Sequence, residues 1–454
     1  MNKIRNTDFD KKEYREIVLR MMIPIAIQSV FGFIMTTTDT VMVGTLGETQ
    51  FAAIGIANQL FTVFLMFING IIGGATIVSA QYYGKRDLKS INSITGFAMI
   101  ISVSISVIFS TLCLAIPETL LSIYTKDTTL LSIGSQYLRA VAVSSLLYAL
   151  FNIIIMPLRC AGETKIPLFI NSLGLIINTS LNFLLIFGNL GFPRLGVVGA
   201  GVSTTIARLV MTIISFYYMF KVDVRICLDL KLMFQQKMVL IKNALKYGGP
   251  SFINDFVWSI GITLYAMIMG RLGAGAIAAY SIMPMITNIS FIIVNSLGIS
   301  GGVVIGMELG DSSFEKAKAY SSQLIRDAAK ISSIMTIIIL LISKPFLSLF
   351  TLSSDTANLA FKFILVHCAF IVVIAMKFII ASILRSAGNT VFCATCDLTI
   401  LYCYSIPLAA ILAFVVKAPI PIVYLAMSSN ELVAMIVTTW RYKKGNWAKN
   451  ITIA

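Results

Sequence analysis

Runs of twenty or more predominantly apolar residues recur along the whole of this 454-residue chain, and nothing constrains its folding more. Each run is long enough to cross a hydrocarbon core of about 30 Å as a helix. Inside that core no water pairs with backbone N–H and C=O groups, so segments of this length must satisfy their own backbone as helices. Twelve such runs are read, over 17–42, 51–80, 91–116, 131–157, 165–187, 196–220, 240–270, 277–306, 316–342, 357–383, 390–416 and 420–442. Only 12% of residues are charged against 57% hydrophobic, about half the charge of a soluble domain. The expected class is an all-α polytopic membrane protein with twelve transmembrane helices.

The net charge of +15 could suggest nucleic acid, but its placement argues otherwise. With a cytoplasmic N-terminus, the tails and the loops on the same side hold 24 of the 35 Lys and Arg residues, and the opposite loops hold five: Lys126, Arg194, Arg271, Lys344 and Lys417. Such a bias predicts a multi-pass protein of the cell (inner or plasma) membrane with both termini in the cytoplasm. No cleavable signal peptide is expected, because residues 1–16 are polar and the first apolar segment is long. Partners are then the bilayer and small molecules, with no nucleic acid and no obligatory protein partner.

The chain also repeats itself. Shifted by 226 residues, Pro24 meets Pro250, Gly44 meets Gly270, Asn69 meets Asn295 and Gly84 meets Gly310, and LRCAGET (158–164) meets LRSAGNT (384–390). Each half has six spans, an even number, so the halves are expected to be parallel repeats about an axis along the membrane normal. The predicted organisation is a six-helix N-terminal lobe over 1–220, a basic cytoplasmic linker over 221–247 and a six-helix C-terminal lobe over 248–454. Two similar bundles around a cleft suit alternating access, which favours a transporter over a channel or an intramembrane enzyme.

Acids at membrane depth are costly and point to function by default. Asp39 lies nineteen residues beyond Arg20 in the first run, about 28 Å along a helix. Its counterpart at the repeat offset is Tyr265, so the acid is confined to the first half. Thr36, Thr37, Thr38 and Thr40 offer it a purely structural hydrogen bond as the alternative. In the second half Asp255 stands beside Asn254 and one turn before Trp258. These could form a substrate or second cation site, the indole offering an aromatic face to a cation, or simply an interhelical hydrogen bond with Trp258 against lipid. Lys377, Asp397 and Glu431 could pair internally or meet substrate. Arg159 and Arg385 read as anchors at helix ends. Cys393 and Cys396 have metal or redox spacing without a second pair, so packing is the expected role, as it is for most of the seven cysteines. His367 is open between packing and function.

The order and spacing of PIAIQSVFGFIMTTTDTVMVGTLG, AQYYGKRD, LRCAGETKIP, NTSLNFLLIFGNLGFPRLGVVGAGVSTTIA, GRLGAGAIAAY and LRSAGNT resemble the multidrug and toxic compound extrusion (MATE) family. The resemblance extends from about residue 15 to 442. It implies a V-shaped, two-lobed antiporter that exports small organic, often cationic, compounds or drugs against inward H⁺ or Na⁺. It further implies that Asp39 takes up the coupling ion beside Asn178 and a span-6 hydroxyl, Thr204 or else Ser203. At the fourth position the family has an acid and this chain has Asn182. Asn178 and Asn182 are four apart, hence on one helix face, and their oxygens suit Na⁺ or a protonated Asp39 equally. Pro24, fifteen residues before Asp39 and lacking a backbone donor, is the expected hinge. No cofactor is expected, and no metal beyond a Na⁺ at Asp39.

Two other functions compete. A lipid-linked oligosaccharide flippase of the same superfamily would have extra spans or a cationic cavity, whereas few Arg residues besides Arg208 and Arg326 lie within these spans. An intramembrane transferase would need an Asp-rich or His-carboxylate constellation, and none is present, so the chain is not expected to be an enzyme. No phosphate-cradling glycine loop is present to support ATP as the energy source.

Overall fold

The computed structural model describes residues 11–223, 226, 228–235, 238–348, 350 and 353–452, apart from the side chains of Lys11 and Glu48. Cys227, residues 1–10 of the N-terminal tail and part of the 221–247 linker lie outside the described residues. Among the described residues, twelve helices are long and apolar enough to cross a membrane. They are α1 (Lys11–Gly44), α2 (Glu48–Gly84), α3 (Leu88–Ala115), α4 (Thr128–Cys160), α5 (Lys165–Phe187) and α6 (Val197–Val222), followed by α7 (Met238–Arg271), α8 (Ala274–Gly310), α9 (Phe314–Leu347), α10 (Ser354–Ser386), α11 (Thr390–Val415) and α12 (Ile420–Lys443). Each of the twelve expected spans lies on one of these helices to within a residue.

Local chemistry sets the helix ends. Asp87 accepts from the backbone N–H of Ser90 at 3.1 Å to start α3, and Asp127 accepts from that of Thr129 at 2.8 Å to start α4. These caps satisfy donors that the first turn leaves open. The duplication is visible in the backbone itself. α2 and α8, α3 and α9, and α4 and α10 begin at residues 226 apart, namely Glu48 and Ala274, Leu88 and Phe314, and Thr128 and Ser354. The same offset relates left-handed turns, with φ 77° at Gly162 and 81° at Gly388, and 60° at Arg86 and 62° at Ser312. Glycine at 162 and 388 supplies the positive φ that the LRxAGxT turn needs without a Cβ penalty.

The repeats and the compact units are different divisions of the chain. One unit comprises Met1–Met22 with Ile253–Ala454, and the other comprises Ile23–Phe252. Both boundaries fall inside helices, beside Pro24 in α1 and Pro250 in α7, because the first turns of each helix pack apart from its remainder. In the first unit Tyr14, 2% exposed, lies against Tyr320 with ring centroids 5.2 Å apart, and Glu13 pairs with Lys316 at 3.2 Å. Its core holds Met269, Ile286, Phe363 and Tyr424, the last two stacked at 4.4 Å. In the other unit α2 and the start of α7 meet closely enough that a Cβ on Gly74 would lie 2.2 Å from the Cα of Gly248.

Helix α11 is not α-helical throughout. It passes through π-helical turns at Ile400–Ser405 and Ile411–Val415. The first lets Tyr402 donate to the carbonyl of Val257 at 2.7 Å and brings Ser405 within 2.6 Å of the Tyr265 hydroxyl, both on α7. Single π-turns of this kind recur at functional sites in helices.

Candidate functional site

In the Ile23–Phe252 unit, α6 is seated by small residues. A Cβ on Gly199 would lie 2.6 Å from the carbonyl oxygen of Leu185 on α5, and one on Gly201 would lie 2.7 Å from the Cβ of Ala140 on α4. Such close approach between helices requires residues without bulk. Side chains then bridge α6 to α4 at successive turns. Thr205 donates to the Ala140 carbonyl at 3.0 Å, Arg208 to the Ser144 hydroxyl at 2.9 Å and carbonyl at 3.2 Å, and Thr212 to the Leu147 carbonyl at 3.0 Å.

This seating brings the four residues expected at the ion site together. Asn182 donates through Nδ2 to a carboxylate oxygen of Asp39 and, at 3.4 Å, to Oδ1 of Asn178. Asn178 in turn donates to the Thr204 hydroxyl at 3.3 Å, and that hydroxyl donates to the Ala200 carbonyl at 3.1 Å. Asn178 and Asn182 are fully buried and Thr204 is 6% exposed. Between the two hydroxyls considered from sequence, Thr204 joins the chain, while Ser203 donates to Gly199 of its own helix. Thr36 and Thr40 likewise donate to their own helix, at Gly32 and Thr36, so they do not hold Asp39. Asn182 keeps one buried acceptor, its Oδ1, without a hydrogen-bond partner among the described residues. A buried amide oxygen beside a carboxylate is an arrangement that can receive a proton's carrier or a hard cation.

Asp39 and Thr204 also line a cavity of about 410 Å³ enclosed by α1, α2, α4, α5 and α6. Tyr137, Tyr148, Asn152 and Asn171 add polar groups to its wall, and Phe61, Leu65 and Met211 add apolar ones. One lining residue was passed over in the sequence reading of the site. Arg208 shares the wall with Asp39, its guanidinium carbon 5.1 Å from the centre of the Tyr148 ring. The signal available in sequence was the Thr205, Arg208, Thr212 stripe, which has helical spacing.

In the other unit, Asn254, Asp255 and Trp258 stand on α7 on either side of Val257, whose carbonyl accepts from Tyr402 of α11. Asn254 is buried at 5% and donates to Asp255 Oδ1 at 3.4 Å, whereas Asp255 is exposed and Trp258 is 42% exposed. Lys377, Asp397 and Glu431 do come together. The Lys377 ammonium lies 3.0 Å from Asp397 and 3.5 Å from Glu431, joining α10, α11 and α12. Arg385, expected to anchor a helix end, also reaches Asp397 at 3.4 Å. Arg159 donates to Gln28 at 3.4 Å. His367 is 6% exposed and shares a hydrogen bond of 3.2 Å with Ser290. Cys393 and Cys396 are buried. Pro24 is buried inside α1.

Compared with known families, residues 24–184 match the MatE family model, and residues 250–415 match it again. The chain belongs to the MatE family. The two matches begin at Pro24 and Pro250, the pair that opens the internal repeat. Among curated relatives, this MatE chain is 25% identical to an uncharacterised transporter, YisQ of Bacillus subtilis, over 93% of each chain. It is 27% identical to a probable multidrug resistance protein, NorM of Halalkalibacterium halodurans, over 82% of each. Its fold is that of solved MATE structures. A MATE in a bent conformation superposes with a TM-score of 0.87 at 19% identity, covering 95% of both chains. One in a straight conformation gives 0.86 at 20% identity over 95% of this chain and 96% of that one.

Proposed function

We propose that this protein is a secondary active antiporter that exports small organic compounds carrying positive charge in exchange for H⁺ or Na⁺, by alternating access, with Asp39 as the coupling-ion site. The observation that carries the reading is the buried chain from Asp39 through Asn182 and Asn178 to Thr204, opening on a cavity of drug-like size. One carboxylate balances one proton or one Na⁺, and one charge crossing 100 mV releases about 2.3 kcal/mol. At about 1.4 kcal/mol per decade, that sustains a substrate gradient of roughly fifty-fold. The multidrug resistance names of relatives such as NorM support organic compounds as substrates.

Pro24 is the hinge in this reading, interrupting the backbone bonding of α1 between its first turns and Asp39. Asp255, Trp258 and Asn254 offer a second cation or substrate contact through the exposed carboxylate and indole. The protein would sit in the plasma membrane with both termini cytoplasmic, as the Lys and Arg distribution favours. The test is efflux of two dyes, the cation ethidium and a rhodamine that also carries a carboxylate, from proteoliposomes under a pH gradient or a Na⁺ gradient alone. Wild type should move at least one dye under one of the gradients, and Asp39→Asn should couple neither dye to either gradient. Full coupling in the Asn variant would remove Asp39 from the mechanism, and failure of wild type to move both dyes under either gradient would remove the antiport reading.

A further inference from the structure

We infer that the cavity of the Ile23–Phe252 unit binds organic zwitterions, with Arg208 receiving the substrate's carboxylate and Asp39 facing its positive group. The inference rests on the antiport reading above and names the class of compound that this site takes.

The starting point is the charge of the cavity wall. Asp39 and Arg208 are its two charged lining residues, and they do not pair with each other. Asp39 spends one oxygen on Asn182, and Arg208 spends one nitrogen, Nη1, on Ser144. A guanidinium has five N–H donors. The Nε and Nη2 donors of Arg208 have no hydrogen-bond partner among the described residues, and the side chain lines the cavity. Its guanidinium carbon lies 5.1 Å from the centre of the Tyr148 ring, whose hydroxyl donates to Asn69 at 3.2 Å, so with Ser144 on Nη1 the guanidinium is held from two sides. A fixed guanidinium edge with free parallel donors is the geometry that receives a carboxylate in two hydrogen bonds.

A purely structural role does not account for the residue. The rungs on either side of it, Thr205 and Thr212, bridge α6 to α4 with neutral hydroxyls. A serine or threonine at 208 would continue that ladder without placing a charge at membrane depth, which is costly. Arginine adds a positive charge and unspent donors on a side chain that lines the cavity.

Charge balance then selects the substrate. With Asp39 ionised the wall carries one negative and one positive charge, so a simple organic cation meets no net attraction. A simple organic anion is favoured only when Asp39 is neutralised, which is when an antiporter must release its cargo. A zwitterion alone satisfies both charges when Asp39 is ionised and loses one anchor when H⁺ or Na⁺ neutralises it. Binding and ion uptake then oppose each other, as exchange requires. Phe61, Leu65 and Met211 supply the apolar walls for the body of such a molecule.

The test compares the rhodamine that carries a free benzoate, a zwitterion, with its methyl ester, a cation of nearly the same shape. Binding of each dye to the purified full-length protein is followed by fluorescence anisotropy at fixed pH and low salt. Wild type is expected to bind the benzoate form at least tenfold more tightly, as one charge-assisted contact allows. Arg208→Gln keeps a donor for Ser144 and is expected to invert the preference, weakening the benzoate form tenfold or more while the ester gains. Arg208→Lys should restore part of the preference for the benzoate. Equal or tighter binding of the ester by wild type overturns the inference, whatever the variants do. A loss of equal size for both dyes in Arg208→Gln also overturns it and leaves Arg208 a bridge between α4 and α6. Efflux in proteoliposomes separates the two levels of the argument. Export of the ester alone keeps the antiporter and rejects the zwitterion site, whereas export of neither dye under any ion gradient rejects the antiporter itself.

Discussion

Replacing Lys377 by methionine tests the buried charges of the α10–α12 cluster. Its ammonium serves two acids at once, Asp397 at 3.0 Å and Glu431 at 3.5 Å, with side-chain exposures of 17%, 7% and 18% for the three groups. Methionine keeps the length of the side chain and removes the charge. Asp397 would retain Arg385 at 3.4 Å, but Glu431 would lose the one ion pair it makes among the described residues. Breaking a buried pair from one side costs about 3–5 kcal/mol, because an uncompensated charge remains. With Asp397 still served, the lower end applies, about 3 kcal/mol. The second variant decides the cause. Lys377→Met with Glu431→Gln removes the stranded charge and should recover most of the loss, giving a coupling free energy of about 2 kcal/mol in a double-mutant cycle. Unfolding by SDS in mixed micelles, followed by circular dichroism, measures both. A Lys377→Met variant within 0.5 kcal/mol of wild type, or a double variant less stable than the single one, would refute the reasoning.

Three shorter predictions concern two residues of α6 and one of α11. Thr204→Val deletes the hydroxyl that accepts from Asn178 and should cost about 1 kcal/mol of stability, with a weaker apparent affinity for the coupling ion in flux assays. Gly199→Ala forces a methyl group to 2.6 Å from a backbone oxygen of α5 and should lower stability by about 1–3 kcal/mol in the same unfolding assay, with efflux reduced in step. Ser405→Ala removes the hydroxyl bound to Tyr265 and the α12 carbonyls at the π-turn, and should cost about 1–2 kcal/mol while leaving ion dependence of efflux in place.

Much of this structure was legible because membrane insertion leaves few alternatives. Hydrophobic length located the twelve helices, and the repeat offset located the paired turns at Gly162 and Gly388. Spacing alone put Asn178 and Asn182 on one helix face, and the resemblance named Asp39 and Thr204 beside them, the four side chains that hydrogen bonds join. Arg208 was not, because a single arginine in ARLVMTII reads as an isolated charge until the helix beside it is known. The same limit applies to Asp255 and Trp258. Spacing put them on adjacent turns, but only packing shows Asn254 turned inward and the other two outward. The π-turns of α11 change the bonding of the backbone without changing composition, so hydropathy does not report them. Lys377 could be matched to its acids by charge, but the reach of Arg385 into the same cluster depends on how α10 packs beside α11.

The position of the unit boundary inside α1 bears on how such a chain is made. Synthesis runs from the N-terminus, yet residues up to Met22 are counted in the compact unit completed by the last residues to emerge. Tyr14 and Glu13 therefore wait through the making of some three hundred residues before Tyr320 and Lys316 exist to receive them. Contacts of such long sequence separation form late and slowly. A chain severed in its linker would yield two halves, neither holding all of its own unit. Co-expressed halves should recover function only if the first fragment surrenders its opening turns to the second.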